Sequence, residues 1–290
     1  MRFAYAESMC EPAYYLPLAR AAEAAGFDTY LVPDSVCYPE HSSASYPYTP
    51  DGTREFLEDK PFIEPFALMA ALSAVTTRLH FATFVLKLPI RTPVIVAKSI
   101  TSLAVLSGDR VSLGVGTSPW PEDFEATGEE WKTRGARTDE MIDIIRGLAV
   151  GGYFEYRGRH YQIPRIKLCP VPARPIPILI GGHTEPALRR AARLGDGFMF
   201  AGGSSRELQG CLTRLRELRE EYGRSGPFAI YASSRDGYTL DGVKRLAELG
   251  VTDLVVGFRQ PYTRGADTET LQTKLDALAR YGGAIIAQRQ

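Results

Sequence analysis

The chain has 290 residues, of which 44% are apolar and 23% charged, which is enough apolar surface to close a large globular core. Lysine plus arginine (34) equals aspartate plus glutamate (34), which excludes a strong overall field for holding a nucleic acid or an anionic membrane. The four cysteines are far apart, and no signal-peptide pattern or run of about 18 apolar residues occurs, so we expect a cytoplasmic protein without a zinc site, disulfide framework or membrane span.

Short β-rich runs alternate with longer helical patterns along the whole chain, which is typical of repeated βα units around a parallel sheet. Most of the strand candidates are nearly continuous in apolar residues, as expected for strands covered on both faces. Eight strands are predicted: RFAYA (2–6), DTYLV (28–32), LHFATFVL (79–86), RVSLGVG (110–116), IPILIG (176–181), GFMFA (197–201), FAIYAS (228–233) and TDLVVGF (252–258).

A helical pattern follows each of these strands. The first has apolar residues at helical spacing, a proline near its start and Gly26 just after its end. The eight helical patterns cover 12–26, 63–76, 92–107, 137–150, 184–195, 205–223, 240–250 and 268–282.

Eight parallel strands that are each followed by a helix close as a barrel. The fold class predicted is therefore α/β, a (β/α)8 TIM barrel, in a single domain covering 1–290. A doubly wound open sheet would carry a glycine-rich phosphate fingerprint after the first strand, and none is present there. GVGTSPW (114–120) also lacks the third glycine of that fingerprint.

Two connections are too long for ordinary βα loops: 33–61 after the second strand and 151–175 before the fifth. Long ordered loops in a compact domain are more often functional than accidental. The second includes a small hairpin around Arg157 and Gly158, and it could equally be a surface embellishment.

Reactive groups in such a barrel come from the C-terminal ends of the strands and the loops that follow them. We predict Asp34 and His41 as catalytic residues. Asp34 ends a buried strand, although an aspartate there could simply order the neighbouring loop. His41 and His183 can donate or accept a proton near neutral pH. Further polar or aromatic residues at this rim are Glu7, Ser8, Ser35, Lys87, Thr117, Ser118 and Trp120.

Two glycine loops at neighbouring strand ends predict an anion site. Gly181 and Gly182 precede a helix that begins near Thr184, and unpaired N–H groups at a helix N-terminus favour an anion. AGGSS (201–205) repeats the arrangement after the sixth strand, so two helix N-termini could grip one phosphate. The alternative is a pair of ordinary glycine loops with serine caps.

Aromatic side chains in the rim loops could line a pocket for an apolar, planar ligand or could simply pack the loops. No histidine pair has the spacing of metal ligands, so we expect no metal. Neither GxSxG nor a catalytic-cysteine signature is present, which disfavours acyl transfer. The aromatic residues are Tyr46, Tyr48, Phe56, Phe62 and Trp120.

Five blocks of the chain resemble the luciferase-like monooxygenase family, especially its branch dependent on coenzyme F420. They are LARAAEAAGFDTYLVPD (18–34), SYPYTPDG (45–52), PIRTPVIVAKSITSLAVLSGDRVSLGVGTSPWPEDFEATG (89–128), RGARTDEMIDIIRGL (134–148) and PILIGGHTEPALRRAARLGDGF (177–198).

The resemblance implies a TIM barrel with the cofactor ring across the strand ends and its phosphate near the two glycine loops. It also implies a non-prolyl cis peptide beneath the ring, between Phe84 and Val85, and contact of Thr117 and Ser118 with the ring or its ribityl chain. The predicted cofactor-binding residues are Ser35, Phe84, Val85, Gly116, Thr117, Ser118, Gly181, Gly182, His183, Ala201, Gly202 and Gly203.

The chain departs from that family after the second strand, where many relatives carry Asp-His or Glu-His. Here Asp34 is followed by Ser35, so the proton donor stays open among His41, His183 and water.

We predict an oxidoreductase that transfers a hydride between coenzyme F420 and a small organic substrate. The alternatives are an FMN-dependent monooxygenase using reduced flavin and oxygen, and a flavin- or deazaflavin-binding protein without turnover. The resemblance further implies a homodimer.

Overall fold

The computed structural model describes residues 1–42, 45–46, 49, 51–259 and 262–289. The strands, in chain order, are β1 Arg2–Ala6, β2 Thr29–Val32, β3 His80–Thr83, β4 Leu86–Lys87, β5 Val111–Gly116, β6 Phe154–Arg157, β7 Gln162–Ile166, β8 Ile178–Gly181, β9 Gly197–Phe200, β10 Ala229–Ser233 and β11 Asp253–Val256. The helices are α1 Tyr15–Ala24, α2 Pro65–Ala74, α3 Pro93–Ser107, α4 Pro121–Thr127, α5 Arg134–Ala149, α6 Glu185–Leu194, α7 Ser205–Glu221, α8 Leu240–Leu249 and α9 Leu271–Ala284.

Eight parallel strands form a closed barrel in the order β3, β2, β1, β11, β10, β9, β8, β5, and pairing of β3 with β5 closes the ring. This confirms the predicted (β/α)8 barrel, and each predicted strand lies at its predicted place. The third predicted strand is interrupted, because β3 ends at Thr83 and the chain rejoins β5 only at β4, where Lys87 pairs with Gly116. The peptide between Phe84 and Val85 is cis, as the family resemblance implied.

Helix α3 illustrates how proline and glycine mark the ends of these helices. It begins at Pro93, where the missing N–H breaks no helical hydrogen bond. It ends at Ser107 and is followed by Gly108, whose φ of 69° is left-handed. The short helix α4 was not predicted, because only seven residues carry it and two prolines precede its apolar positions.

The barrel interior is a small apolar cluster separate from the larger core between sheet and helices. It consists of Ala4, Leu31, Ala82, Leu179, Met199, Tyr231 and Val255, with Phe84 and Val85 packed against it. Inward positions alternate along barrel strands, so the next inward position towards the C-terminal end is Ala6, Gly116, Gly181, Ala201 and Gly257 on five strands, and Pro33, Phe84 and Ser233 on or after the other three. Five of these eight residues are glycine or alanine, so that part of the mouth has no large inward side chain.

Polar pairs close the opposite, N-terminal end of the barrel. Arg2 binds both carboxylate oxygens of Asp253 at 2.8 Å, and His80 Nε2 lies 2.9 Å from Ser112 Oγ. Burial lowers the pKa of His80 to about 4, so this histidine is neutral in the folded protein at neutral pH. His80 is therefore a structural residue, far from the rim where the barrel strands end.

The insertion before the fifth barrel strand contains the predicted hairpin, β6 and β7. Its turn is fixed to α5, because the carboxylate of Glu140 accepts hydrogen bonds from the backbone N–H groups of Arg159, His160 and Tyr161 at 2.8, 3.0 and 3.0 Å. The hairpin thus covers the outer face of α5. No helix among the described residues is long and apolar enough to span a membrane.

Candidate functional site

The floor of the barrel mouth is formed by Val85, which follows the cis peptide. A Cβ at Gly116 would lie 2.8 Å from Val85 Cγ2, and a Cβ at Gly181 would lie 2.8 Å from Val85 Cγ1. Both distances are closer than real Cβ contacts allow, so glycine at these two strand ends is what lets the Val85 side chain lie between them. Val85, Gly116 and Gly181, three of the predicted cofactor-binding residues, therefore lie together.

The two glycine loops lie side by side. Gly181 pairs with Met199 in the sheet, and the backbone N–H of Ala201 donates to Nε2 of His183 at 3.3 Å. The imidazole also stacks on Phe200, with ring centroids 4.3 Å apart and planes 9° from parallel. Burial lowers the pKa of His183, which favours the neutral ring that this contact requires. His183 therefore joins the two loops.

The two helix N-termini behind these loops differ. Thr184, the N-cap of α6, makes no side-chain capping bond, and Gly182 in the preceding loop has a φ of 115°. At α7, Ser204 and Glu207 form a capping box, with the N–H of Ser204 donating to Glu207 Oε2 at 2.7 Å. The serine-cap alternative thus holds for the second loop but not for the first, and the Glu207 carboxylate adds negative charge beside the second loop.

Asp34 has both carboxylate oxygens engaged, and its side chain is only 1% exposed. Arg91 binds Oδ1 and Oδ2 at 2.8 Å each, and the backbone N–H of Lys87 donates to Oδ2 at 2.8 Å. Arg91 Nη1 also donates to the carbonyl oxygen of Lys87 at 2.9 Å. Asp34 therefore orders the segment after the cis peptide, which is the loop-ordering role considered above.

A buried polar cluster connects the loops after the second, third and fourth barrel strands. Asp123 is fully buried, and its Oδ2 lies 2.7 Å from Lys87 Nζ and accepts from Ser118 Oγ at 2.8 Å. Cys37 Sγ lies 3.9 Å from Asp123 Oδ1. Burial, and then the nearby Asp123 charge, raise the pKa of the Cys37 thiol. Asp123 could have been recognised in the sequence as part of the acidic first turn of α4, but only if that short helix had been predicted.

The rim aromatics pack on one another. Tyr46 stacks on Trp120 with ring centroids 5.2 Å apart, and Phe56 meets Tyr262 edge to face at 5.1 Å. Trp120 and Phe56 are buried, so these contacts join the insertion after the second strand to the loops after the fourth and eighth. Tyr48, also expected at this rim, lies outside the described residues.

The remaining predicted residues occupy different surroundings. Ser35 and Thr117 are half-buried in the loops after β2 and β5, whereas His41 is exposed. Glu7 is buried behind the barrel wall, where it accepts from Tyr5 Oη at 2.7 Å and faces Lys274 Nζ at 3.4 Å. Burial raises the pKa of Glu7.

Phe62 is half-buried, and Gly202 and Gly203 both have left-handed φ, at 131° and 143°.

A family model described as luciferase-like monooxygenase matches residues 4–235. An uncharacterized protein of Mycobacterium tuberculosis is 58% identical over 288 residues, covering 99% of this chain and 100% of the relative. An F420-dependent glucose-6-phosphate dehydrogenase of Mycolicibacterium gilvum is 29% identical over 221 residues, covering 74% of this chain and 61% of that enzyme.

Two solved structures share the fold over nearly the whole chain. A monooxygenase from Streptomyces bottropensis superposes with a TM-score of 0.79 at 17% identity, covering 99% of each chain. The coenzyme F420-dependent tetrahydromethanopterin reductase of Methanopyrus kandleri superposes with a TM-score of 0.76 at 15% identity, covering 100% of this chain and 99% of that one. At these identities the likeness shows the barrel architecture.

Proposed function

The chain belongs to the luciferase-like monooxygenase family, and from that membership we propose that it is an oxidoreductase that transfers a hydride between coenzyme F420 and a small organic substrate. Relatives named as F420-dependent glucose-6-phosphate dehydrogenases support the choice of a deazaflavin. When bound, F420 supplies a ring carbon that gives or accepts a hydride, while the protein provides orientation and charge placement.

The observation that carries the proposal is the shape of the barrel mouth. Val85 lies in contact range of Gly116 and Gly181, and five of the eight inward positions at this level of the barrel are glycine or alanine. A flat ring system needs a shallow, apolar seat without projecting side chains, and this mouth offers one. Thr117 and Ser118, which follow Gly116 directly, stand at the edge of that seat where polar atoms of a ring could bind.

The phosphate of the cofactor is proposed to bind at the start of α6. Its N-cap residue Thr184 makes no side-chain capping bond, which leaves the first-turn N–H of Glu185 without one, and Gly182 removes any Cβ from the approach. The second loop contributes Ala201, Gly202 and Gly203 as close-approach backbone. Glu207 already caps α7, so we assign that helix terminus a smaller part.

The other predicted residues take roles in this scheme according to their surroundings. Asp34 acts as a positioning residue, because it holds Arg91 and the backbone of Lys87. His41, exposed in the loop after β2, is the proposed acid–base group, since an imidazole side chain can both donate and accept a proton.

Equilibrium binding tests the cofactor assignment. Purified protein is titrated with F420 and, separately, with FMN, and binding is followed by quenching of cofactor fluorescence. We expect F420 to bind at micromolar concentration or tighter, and FMN more weakly. If neither binds at high micromolar concentration, the proposed function is wrong.

A flavin monooxygenase is the second candidate, favoured by the description of the family itself. Oxygen consumption with reduced FMN, compared with anaerobic oxidation of reduced F420 by candidate substrates, separates the two reactions. Binding of either cofactor without turnover in any assay would instead support a non-catalytic binding protein, the role suggested by Ser35 in place of the usual histidine.

A homodimer is proposed through the adjacent outer faces of α2 and α3. Helix α2 has no charged residue and α3 has only Lys98, whereas every other α-helix carries at least two. Ile95 and Leu106 of α3 are 64% and 76% exposed. An uncharged aliphatic surface spread over two neighbouring helices fits a second copy of the same surface, because no charges would be buried unpaired.

A further inference from the structure

Arg54 is a buried arginine that uses few of its hydrogen-bond donors. Its side chain is 5% exposed, and Nη1 reaches Ser42 Oγ and Glu122 Oε2 only at 3.4 Å each. Nε is buried and has no hydrogen-bond partner among the residues that the structure describes. Buried polar groups are nearly always paired, so an arginine left this way among the described residues is a candidate for binding a ligand.

Packing explains where the guanidinium lies but not what its N–H groups bind. The guanidinium carbon lies 3.8 Å from the centroid of the Trp120 ring, and this cation–π contact uses no N–H donor. Arg137, a comparably buried arginine, shows the usual solution. Its Nε donates to Thr133 Oγ1 at 3.2 Å and its Nη2 to Glu130 O at 2.9 Å.

Arg54 lies among the loops at the C-terminal rim of the barrel. Arg54 belongs to the insertion after β2. Trp120 and Glu122 follow β5, the fourth strand of the barrel, at its C-terminal rim. Arg54 and Lys87 both lie near Cys37, because the charge of each opposes the rise that burial causes in the pKa of that thiol. Arg54 therefore lies where these two rim loops meet.

We propose that Arg54 binds the carboxylate of an anionic organic substrate, an assignment that rests on the proposed function and names the substrate class. The Nε–Nη2 edge of a guanidinium matches the two oxygens of a carboxylate in one plane. Glu122 already faces Nη1, so a monoanion is favoured over a phosphate dianion, which would leave excess negative charge in a buried setting.

Calorimetric titration of the full chain with benzoate and with its neutral isostere benzamide tests this, both without and with saturating F420. We expect benzoate to bind about tenfold tighter than benzamide, since a hydrogen bond to a charged group contributes about that factor. Arg54→Lys keeps the charge but loses the planar fork, so this preference should fall to about twofold or less while F420 affinity stays unchanged.

Two further variants sharpen the result. Arg134 also stacks on an indole, 3.6 Å from the ring of Trp131, but lies outside the insertion, so Arg134→Lys is the matched control and should keep the full preference. Glu122→Gln removes the competing carboxylate and should tighten benzoate binding about threefold. If Arg54→Lys fails to fold, the benzoate affinity of Glu122→Gln tests the proposed carboxylate site instead.

The outcomes separate the inference from the proposed function. Equal binding of benzoate and benzamide, or a preference that Arg54→Lys leaves intact, overturns the carboxylate site even when F420 binds. Tighter Arg54-dependent binding of inorganic phosphate than of benzoate overturns it as well. An Arg54-dependent preference for benzoate in a protein that does not bind F420 supports the anion site while the proposed function fails.

Discussion

Asp34 and its ion-pair partner Arg91 together bind both backbone polar groups of Lys87, the N–H and the carbonyl oxygen. Oδ2 accepts the N–H of Lys87 at 2.8 Å, and Arg91, bound to both Asp34 oxygens, donates to the Lys87 carbonyl at 2.9 Å. The peptide between Phe84 and Val85 lies just before this clamp. The floor of the mouth is thus fixed from one end by a buried ion pair.

Replacing Asp34 with asparagine should destabilise the fold, because Arg91 would lose its charged partner in a largely buried position. We expect the free energy of unfolding to fall by about 3 kcal/mol. Chemical denaturation measures the loss. Glu217→Gln, which breaks the exposed pair with Arg214, is the control and should leave the denaturation midpoint unchanged. Equal effects of the two variants would contradict the clamp.

The barrel could be predicted from the sequence because its signals are local and repeated. Strands buried on both faces read as apolar runs, as TYLV does in β2, and prolines and glycines mark helix ends, as Pro93 and Gly108 do for α3. The break in the third strand was not visible as a pattern, since Phe84 and Val85 are themselves typical strand residues. It came only from the family resemblance.

The candidate site was predicted less completely, because its polar contacts join segments distant in the chain. Asp34 was identified by its place at a strand end, but its partner Arg91 is 57 residues away. Asp123 lies in the short helix α4 and Arg54 in a loop, and the path of both segments depends on the packing of Trp120 and Tyr46. The spacing of residues along the sequence does not indicate such long-range contacts.

Gly182→Ala should weaken cofactor binding without unfolding the barrel. The φ of Gly182 is 115°, and a Cβ there would lie 3.0 Å from Ala187 Cβ at the start of α6. We expect a loss of F420 affinity of tenfold or more, measured by fluorescence titration, because the loop must shift where the phosphate is proposed to bind.

The matched control is Gly223→Ala, since Gly223 also has a left-handed φ, at 63°, with open space around it. Both variants should lose about 1 kcal/mol of stability from backbone strain. F420 affinity that is equally unchanged in both would argue against a phosphate at α6.

Gly181→Ala should disturb the floor through Val85, whose Cγ1 would lie 2.8 Å from the new Cβ. The side chain must move into the space proposed for the cofactor ring, so we expect weaker F420 binding. Removing the obstruction in the double variant Gly181→Ala with Val85→Ala should restore part of the affinity. Purely additive losses in this double-mutant cycle would mean that the two residues do not act together.

Leu106→Glu should dissociate the proposed homodimer. Leu106 is 76% exposed on the uncharged face of α3, and two glutamates opposed across an apolar interface would repel each other. Sedimentation equilibrium should show a dimer for the native chain and a shift towards monomer for the variant. Leu240→Glu on α8, where Leu240 is 42% exposed, is the control and should remain dimeric. A native chain that sediments as a monomer rules the interface out.

The stability of the fold should fall in mild acid because of His80. Burial lowers its pKa to about 4, from about 6.5 in the unfolded chain. Between these values the unfolded chain binds a proton that the folded protein does not, so unfolding free energy decreases as pH falls from about 6.5 to about 4, by up to about 3 kcal/mol.

Denaturation curves across this pH range measure the effect, and His80→Gln isolates it. The glutamine amide can keep a hydrogen bond to Ser112 without titrating, so the variant should lose less stability between neutral pH and pH 4 than the native chain does. Nearby Arg2 and Arg110 lower the pKa of His80 further, so the native slope should weaken if either arginine is neutralised. Parallel pH profiles for native protein and His80→Gln would show that other groups govern the acid response.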